Sequence, residues 1–167
     1  MLEQIIGSVR RNHALEHATI SILARKLGGD LRLVGRATRN GFYLYGDMPA
    51  DRIEESAVEA LQRLRHGEAH LAVSPMCGTN LAVAGLLAGA ASLVALGGGS
   101  RLERVPNVLL ASMLAVLAAQ PLGRLAQKHF TTDPDLSDVE LVGIREGGRG
   151  PARFHRVETV TVRKGQS

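Results

Sequence analysis

The residues with the clearest capacity for chemistry are His13, Glu16 and His17, in the run His13-Ala14-Leu15-Glu16-His17. Steps of three and four residues return to one side of a helix, so two imidazoles and a carboxylate share a face here. Two histidines so spaced can give one nitrogen each to a zinc ion, and the carboxylate between them reaches a water on the metal. Zinc lowers the pKa of such a water toward ~7, and Glu16 can accept its proton as attack on a carbonyl begins. The expectation is a Zn2+ site with His13 and His17 as ligands and Glu16 as general base. The competing reading makes both histidines core or interface groups bonded to Glu16 and to the backbone.

Zinc needs a third protein ligand. Cys77 is the first choice, because in Ser74-Pro75-Met76-Cys77-Gly78-Thr79-Asn80 it opens an apolar helix, where the helix N-terminus and a metal both favour thiolate. A lone cysteine is otherwise an inert, small apolar residue. His70 comes next, then Glu68 and Glu59. His66, His129 and His155 have no partner spacing and read as surface residues.

The element that must carry this motif is a long amphipathic helix from Leu2 to Leu27, with Ile6, Val9, Ile20 and Leu23 at helical period and Gly28-Gly29 to end it. Its apolar stripe passes through His13, Glu16 and His17, and burying three polar groups without partners would cost several kcal/mol. Leu31–Ala37 and Phe42–Tyr45 flank Arg39-Asn40-Gly41, where Asn-Gly supplies the positive dihedral angles of a β-hairpin turn. Pro49–His66 is a second helix, acidic early and basic late, stopped by Gly67. Ala69–Ser74 reads as a third strand. An exposed edge strand carrying Phe42 and Tyr45 would align an extended peptide, but an ordinary sheet packed on the two helices is the favoured reading.

Leu81–Gly98 and Val105–Gly123 are two long, weakly polar or apolar stretches separated by a charged break at 100–104, and they read as a transmembrane helical hairpin. Gly85 and Gly89 form a small-xxx-small pair that would let helix backbones approach, and such faces also permit a homodimer. A hairpin buried in a soluble core is the alternative. Arg63, Arg65, Arg124 and Lys128 near the outer ends place the flanking soluble part in the cytoplasm and the hairpin in the inner (plasma) membrane, with Arg101 and Arg104 pulling the other way. Thr131–Asp138 is a loop, Val139–Ile144 and Val157–Val162 are strands joined through Gly147–Pro151, and the tail from Arg163 is disordered. The fold class is α+β: residues 1–79 form a helix/β-hairpin/helix unit, 80–123 the membrane hairpin, and 124–167 a loop and strands packing on the first unit.

Composition narrows the function classes. Lys and Arg number 20 against 16 Asp and Glu, a scattered surplus, and with no Trp and only Phe42, Tyr43, Tyr45, Phe130 and Phe154 as large rings, a nucleic-acid role is not favoured. One cysteine excludes an intrachain disulfide and suits a reducing compartment. The first residues lack the pattern of a cleavable signal peptide.

The spacing H-x-x-E-H resembles the active-site motif of inverzincin metallopeptidases. That resemblance covers five residues and implies His13 and His17 as metal ligands with Glu16 as base. The chain is also similar to a family of small bacterial membrane proteins described as a domain of unknown function, through Asn12-His13-Ala14-Leu15-Glu16-His17-Ala18-Thr19, Gly41-Phe42-Tyr43-Leu44-Tyr45-Gly46 and Cys77-Gly78-Thr79-Asn80. This likeness implies membrane placement and no particular activity. Three functions follow: a membrane-embedded zinc hydrolase acting on a peptide or protein; a non-catalytic membrane assembly or regulatory protein with a structural histidine or metal cluster; and, with least support, a haem protein using His13 or His17 as axial ligand.

Overall fold

The computed structural model describes residues 1–28, 31–97, 101–148, 150 and 153–162. The elements are α1 (Leu2–Leu27), β1 (Val34–Thr38), β2 (Gly41–Tyr45), α2 (Ala50–Arg65), α3 (Gly78–Ala95), α4 (Arg101–Ala126), β3 (Val139–Gly147) and β4 (Phe154–Thr161). The fold is α+β and divides into two compact units, one made of Met1–Ser74 with Phe130–Ser167, the other of Pro75–His129. The stretches at Gly29-Asp30 and 163–167, which include the expected disordered tail, lie outside the described residues.

In the first unit the strands form one antiparallel sheet in the order β1-β2-β4-β3. Helix α1 ends where expected: Gly28 adopts φ 85°, a left-handed conformation open to glycine, and its N–H returns to the Ala24 carbonyl. Its core face is Ala14, Leu15, Ala18, Ile22 and Leu23; of the stripe traced from Ile6, Leu23 is in the core and Ile20 packs against it, whereas Ile6 is 49% exposed. The reason is local: Glu3, Gln4, Gly7 and Ser8 border an open cleft, so the first two turns have no core to face. Leu15 and Ile22 pack with Phe42, Leu44, Val157, Ile53 and Leu136. Fully burying Phe42 alone contributes about 1.5–3 kcal/mol.

The hairpin turn is Arg39-Asn40, between paired Thr38 and Gly41. Among the described residues only glycines take positive φ; Gly41 does so at 126°, and a β-carbon there would overlap the Val157 carbonyl. Strand β2 is therefore central, hydrogen-bonded to β1 on one side and β4 on the other, with Phe42 buried. It offers no free edge to a peptide, which corrects the edge-strand expectation. Residues Ala69–Ala72 form a 3-10 turn and not a third strand. Leu71 and Ala72 are both buried, which alternating strand side chains cannot achieve. The segment after the hairpin is fixed by cations on its carbonyls: Arg10 Nη2 donates to Thr132 O at 3.1 Å, and Arg65 donates to Leu136 O at 3.1 Å and Val139 O at 2.6 Å.

In the second unit α3 packs on α4. Ser92 and Ser112 share a hydrogen bond of 2.9 Å, and Gln127 Nε2 donates to Asn80 Oδ1 at 2.8 Å. The close approach falls at Gly123, where a β-carbon would overlap the Asn80 amide, whereas Gly85 and Gly89 face open space. The small-xxx-small pair thus takes no part in packing these two helices together. Two stretches, Gly78–Ala95 and Arg104–Thr131, are long and apolar enough to cross a membrane, and few of their residues are buried.

Candidate metal centre

His13, Glu16 and His17 all lie in the middle of α1; the two imidazoles are neighbours, and the Glu16 carboxylate lies against Gly35 of β1. His13 Nδ1 lies 2.9 Å from the Thr131 carbonyl and His17 Nδ1 lies 2.8 Å from the Ala72 carbonyl. A carbonyl oxygen can only accept, so each Nδ1 carries the proton. For the neutral imidazoles this leaves the lone pair on Nε2, the form a metal takes. The ring centroids are 4.3 Å apart. Carbonyl-anchored imidazoles on successive turns are the outer support that ligating histidines usually have.

Glu16 is 4% exposed. Its carboxylate occupies the space beside Gly35 of β1, where any β-carbon would overlap it. The preceding residue on the same side of the motif, Asn12, fastens α1 to the sheet: its Nδ2 donates to Thr38 O at 2.9 Å and Arg39 O at 3.0 Å, and its Oδ1 accepts from Thr159 Oγ1 at 2.7 Å. These contacts set the height and rotation of the helix turn that carries His13.

Cys77 belongs to the second unit, as the N-cap of α3, with its Sγ accepting from the Thr79 N–H at 3.4 Å. Two imidazoles and a thiolate are, by their chemistry, donors of the kind a zinc ion takes.

The other carboxylates and imidazoles weighed as ligands are engaged in ion pairs or exposed. Glu68 is held by Arg63 at 2.5 Å and Glu59 by Lys26 at 2.9 Å, and the hydrogen bonds from those cations hold both carboxyls below the usual range. His70 is exposed, as are His66 and His129. His155 is the exception to the surface reading: it is fully buried on β4, and burial pushes its imidazole below its ordinary value, with Glu146 at 3.6 Å opposing. Strand alternation explains this, since His155 shares the inward face with Val157 and Thr159.

Sequence reasoning missed Asn12, Gly35 and the two carbonyl anchors. Asn12 carried a signal, a short polar side chain in a helix interior next to the motif; main-chain carbonyls carry none.

The family described as domain of unknown function (DUF6391) matches residues 8–144, and the chain belongs to it. A relative from Picosynechococcus sp. (strain ATCC 27264 / PCC 7002 / PR-6), named as an uncharacterized protein, is 36% identical over 165 residues, covering 89% of this chain and 78% of the relative. No solved structure matches.

Proposed function

We propose that this chain is a membrane-embedded zinc-dependent hydrolase acting on a peptide or protein, with His13, His17 and Cys77 as metal ligands and Glu16 as general base. The observation that carries this reading is the pair of main-chain anchors, Thr131 O on His13 and Ala72 O on His17, which leave two Nε2 lone pairs on neighbouring turns of one helix. Membrane placement is supported by the apolar surface of α3 and α4: Leu86, Leu93, Val94 and Leu117 are each at least 70% exposed. Lipid covers such a surface where water would not. Arg63, Arg65, Arg124 and Lys128 near the outer ends of the hairpin support a cytoplasmic first unit, with Arg101 and Arg104 pulling the other way.

Zinc in this donor set supplies Lewis acidity to a substrate carbonyl. The chain's own residues do the rest. The two main-chain carbonyls hold the imidazoles in the ligating tautomer. Glu16, secluded from bulk solvent beside Gly35, takes a proton from the attacking water and returns it to the leaving amine.

The test is metal content of detergent-purified protein by mass spectrometry, followed by a peptide-library assay. About one zinc per chain, lost in His13→Ala/His17→Ala and in Cys77→Ser, supports the ligand set. Glu16→Gln should keep the zinc and lose hydrolysis. No metal after zinc is added back would overturn the reading. Bound zinc with four protein ligands by X-ray absorption, and no hydrolysis by the parent, would show a closed structural site in an assembly or regulatory protein.

A further inference from the structure

The sheet of the first unit has one face against α1 and α2 and one face open, and its register sorts the side chains in a way composition does not reveal. The row Arg36–Tyr43–Arg156–Arg145 crosses all four strands on the open face, and the next row begins Val34–Tyr45–Phe154. Three of the five large aromatic rings in the chain are thus gathered on the two central strands. Tyr43 and Tyr45 stack at 6.2 Å, Phe154 lies 5.7 Å from Tyr43, and the Arg156 guanidinium sits 5.7 Å from the Tyr43 ring centre. Glu158 on the same face pairs with Arg145 at 3.2 Å and Arg156 at 3.4 Å, and Glu140 lies on it opposite Val160, so Arg36, Arg145 and Arg156 outnumber the carboxylates by one. At one end this face borders a cleft of about 860 Å3 whose walls balance Arg11, Arg39 and Arg156 against Glu3, Asp138 and Glu158, so the positive balance belongs to the sheet face and not to the cleft.

We infer that this open face binds single-stranded nucleic acid, with bases stacked on Tyr43, Tyr45 and Phe154 and phosphates on Arg36, Arg145 and Arg156. An open four-stranded sheet whose aromatic side chains stack two or three bases is an established way to hold a single strand, and arginine supplies the phosphate contacts. Charge complementarity favours a polyanion. The half-buried rings, which lean on each other and do not protrude, favour flat bases over a lipid surface, which needs apolar side chains standing clear. The surface is separate from the His13/His17 group and does not depend on the hydrolase reading.

Both tyrosines lie on this face and the chain has no Trp, so intrinsic emission reports this surface alone. The experiment is titration of the full chain in detergent with a fluorescein-labelled 12-nucleotide single-stranded RNA or DNA at low salt, read by anisotropy and by tyrosine quenching. The expected result is binding that quenches tyrosine, weakened at least tenfold in Tyr45→Leu. Arg36→Ala/Arg145→Ala should bind more weakly and with a log–log salt slope shallower by about 1.4. His13→Ala/His17→Ala should bind as the parent does. No binding by the parent, equal binding by the Tyr45 and arginine variants, or capture by phosphatidylglycerol vesicles without oligonucleotide binding would each overturn the inference, the last by assigning the face to a lipid surface.

Discussion

The Glu16 carboxylate and Gly35 are matched across the α1–β1 interface: the side chain fills the space that the glycine leaves empty. Gly35→Ala should therefore unseat Glu16, abolish any hydrolysis and cost about 1–3 kcal/mol of stability. Adding Glu16→Ala should recover most of that stability. A double-mutant cycle by urea denaturation measures the coupling, and additive losses would show that the two residues are not matched in this way.

Zinc itself should stabilise the protein. If His13 and His17 are ligands, zinc at 100 times its dissociation constant adds about 2.7 kcal/mol. The thermal midpoint should rise with zinc, fall back with a chelator, and stay fixed in His13→Ala/His17→Ala.

Asn12 joins a helix, a hairpin turn and β4 through three hydrogen bonds. Asn12→Ala would leave buried groups without partners and should cost about 1–3 kcal/mol, with Thr159→Val, which strands the Asn12 Oδ1 alone, toward the lower end of that range. Denaturation midpoints separate the two. Metal affinity should also drop in Asn12→Ala, because the turn carrying His13 loses its fixed height.

The inside of the sheet should respond to acid. Burial holds His155 below its ordinary value, so the unfolded chain binds a proton that the folded chain refuses. Stability should therefore decline as pH falls below about 6.5 and level off once the folded imidazole is protonated. His155→Gln should remove this step. Equal pH dependence in parent and variant, from urea midpoints at about pH 7.5 and about pH 5.5, would show that His155 makes no contribution.

In the second unit the tight position is Gly123 against Asn80. Gly123→Ala should loosen the hairpin and lower its thermal midpoint in detergent, whereas Gly85→Ala and Gly89→Ala should leave it within error. A shift in self-association on changing Gly85 or Gly89, with no shift in midpoint, would point to a second copy on that face.

What was legible in the sequence depended on the range of the interaction. The limits of α1 followed from helical period and Gly28, and the H-x-x-E-H cluster from spacing alone. The anchors of that cluster were not legible, since Thr131 is 118 residues from His13 and Ala72 is 55 from His17, and a carbonyl has no residue identity. Alternation along Phe154–Thr161 held the clue that His155 points inward, but a lone histidine was weighed by its lack of partners and not by its neighbours' period. The aromatic row needed register, which only strand pairing supplies. Gly35 looked like any strand glycine until a helix side chain lay on it.

The anchors of His13 and His17 also bear on how this architecture could have arisen. Ala72 and Thr131, the residues flanking the long apolar excursion, both bond rings whose centres are 4.3 Å apart. The chain thus departs from and rejoins the α+β unit at nearly one spot, and a linker of about four or five extended residues would bridge the gap. The apolar stretch is in that sense an insertion at a seam whose two lips are held by one helix. A host with such a seam can change what anchors it while keeping its own core.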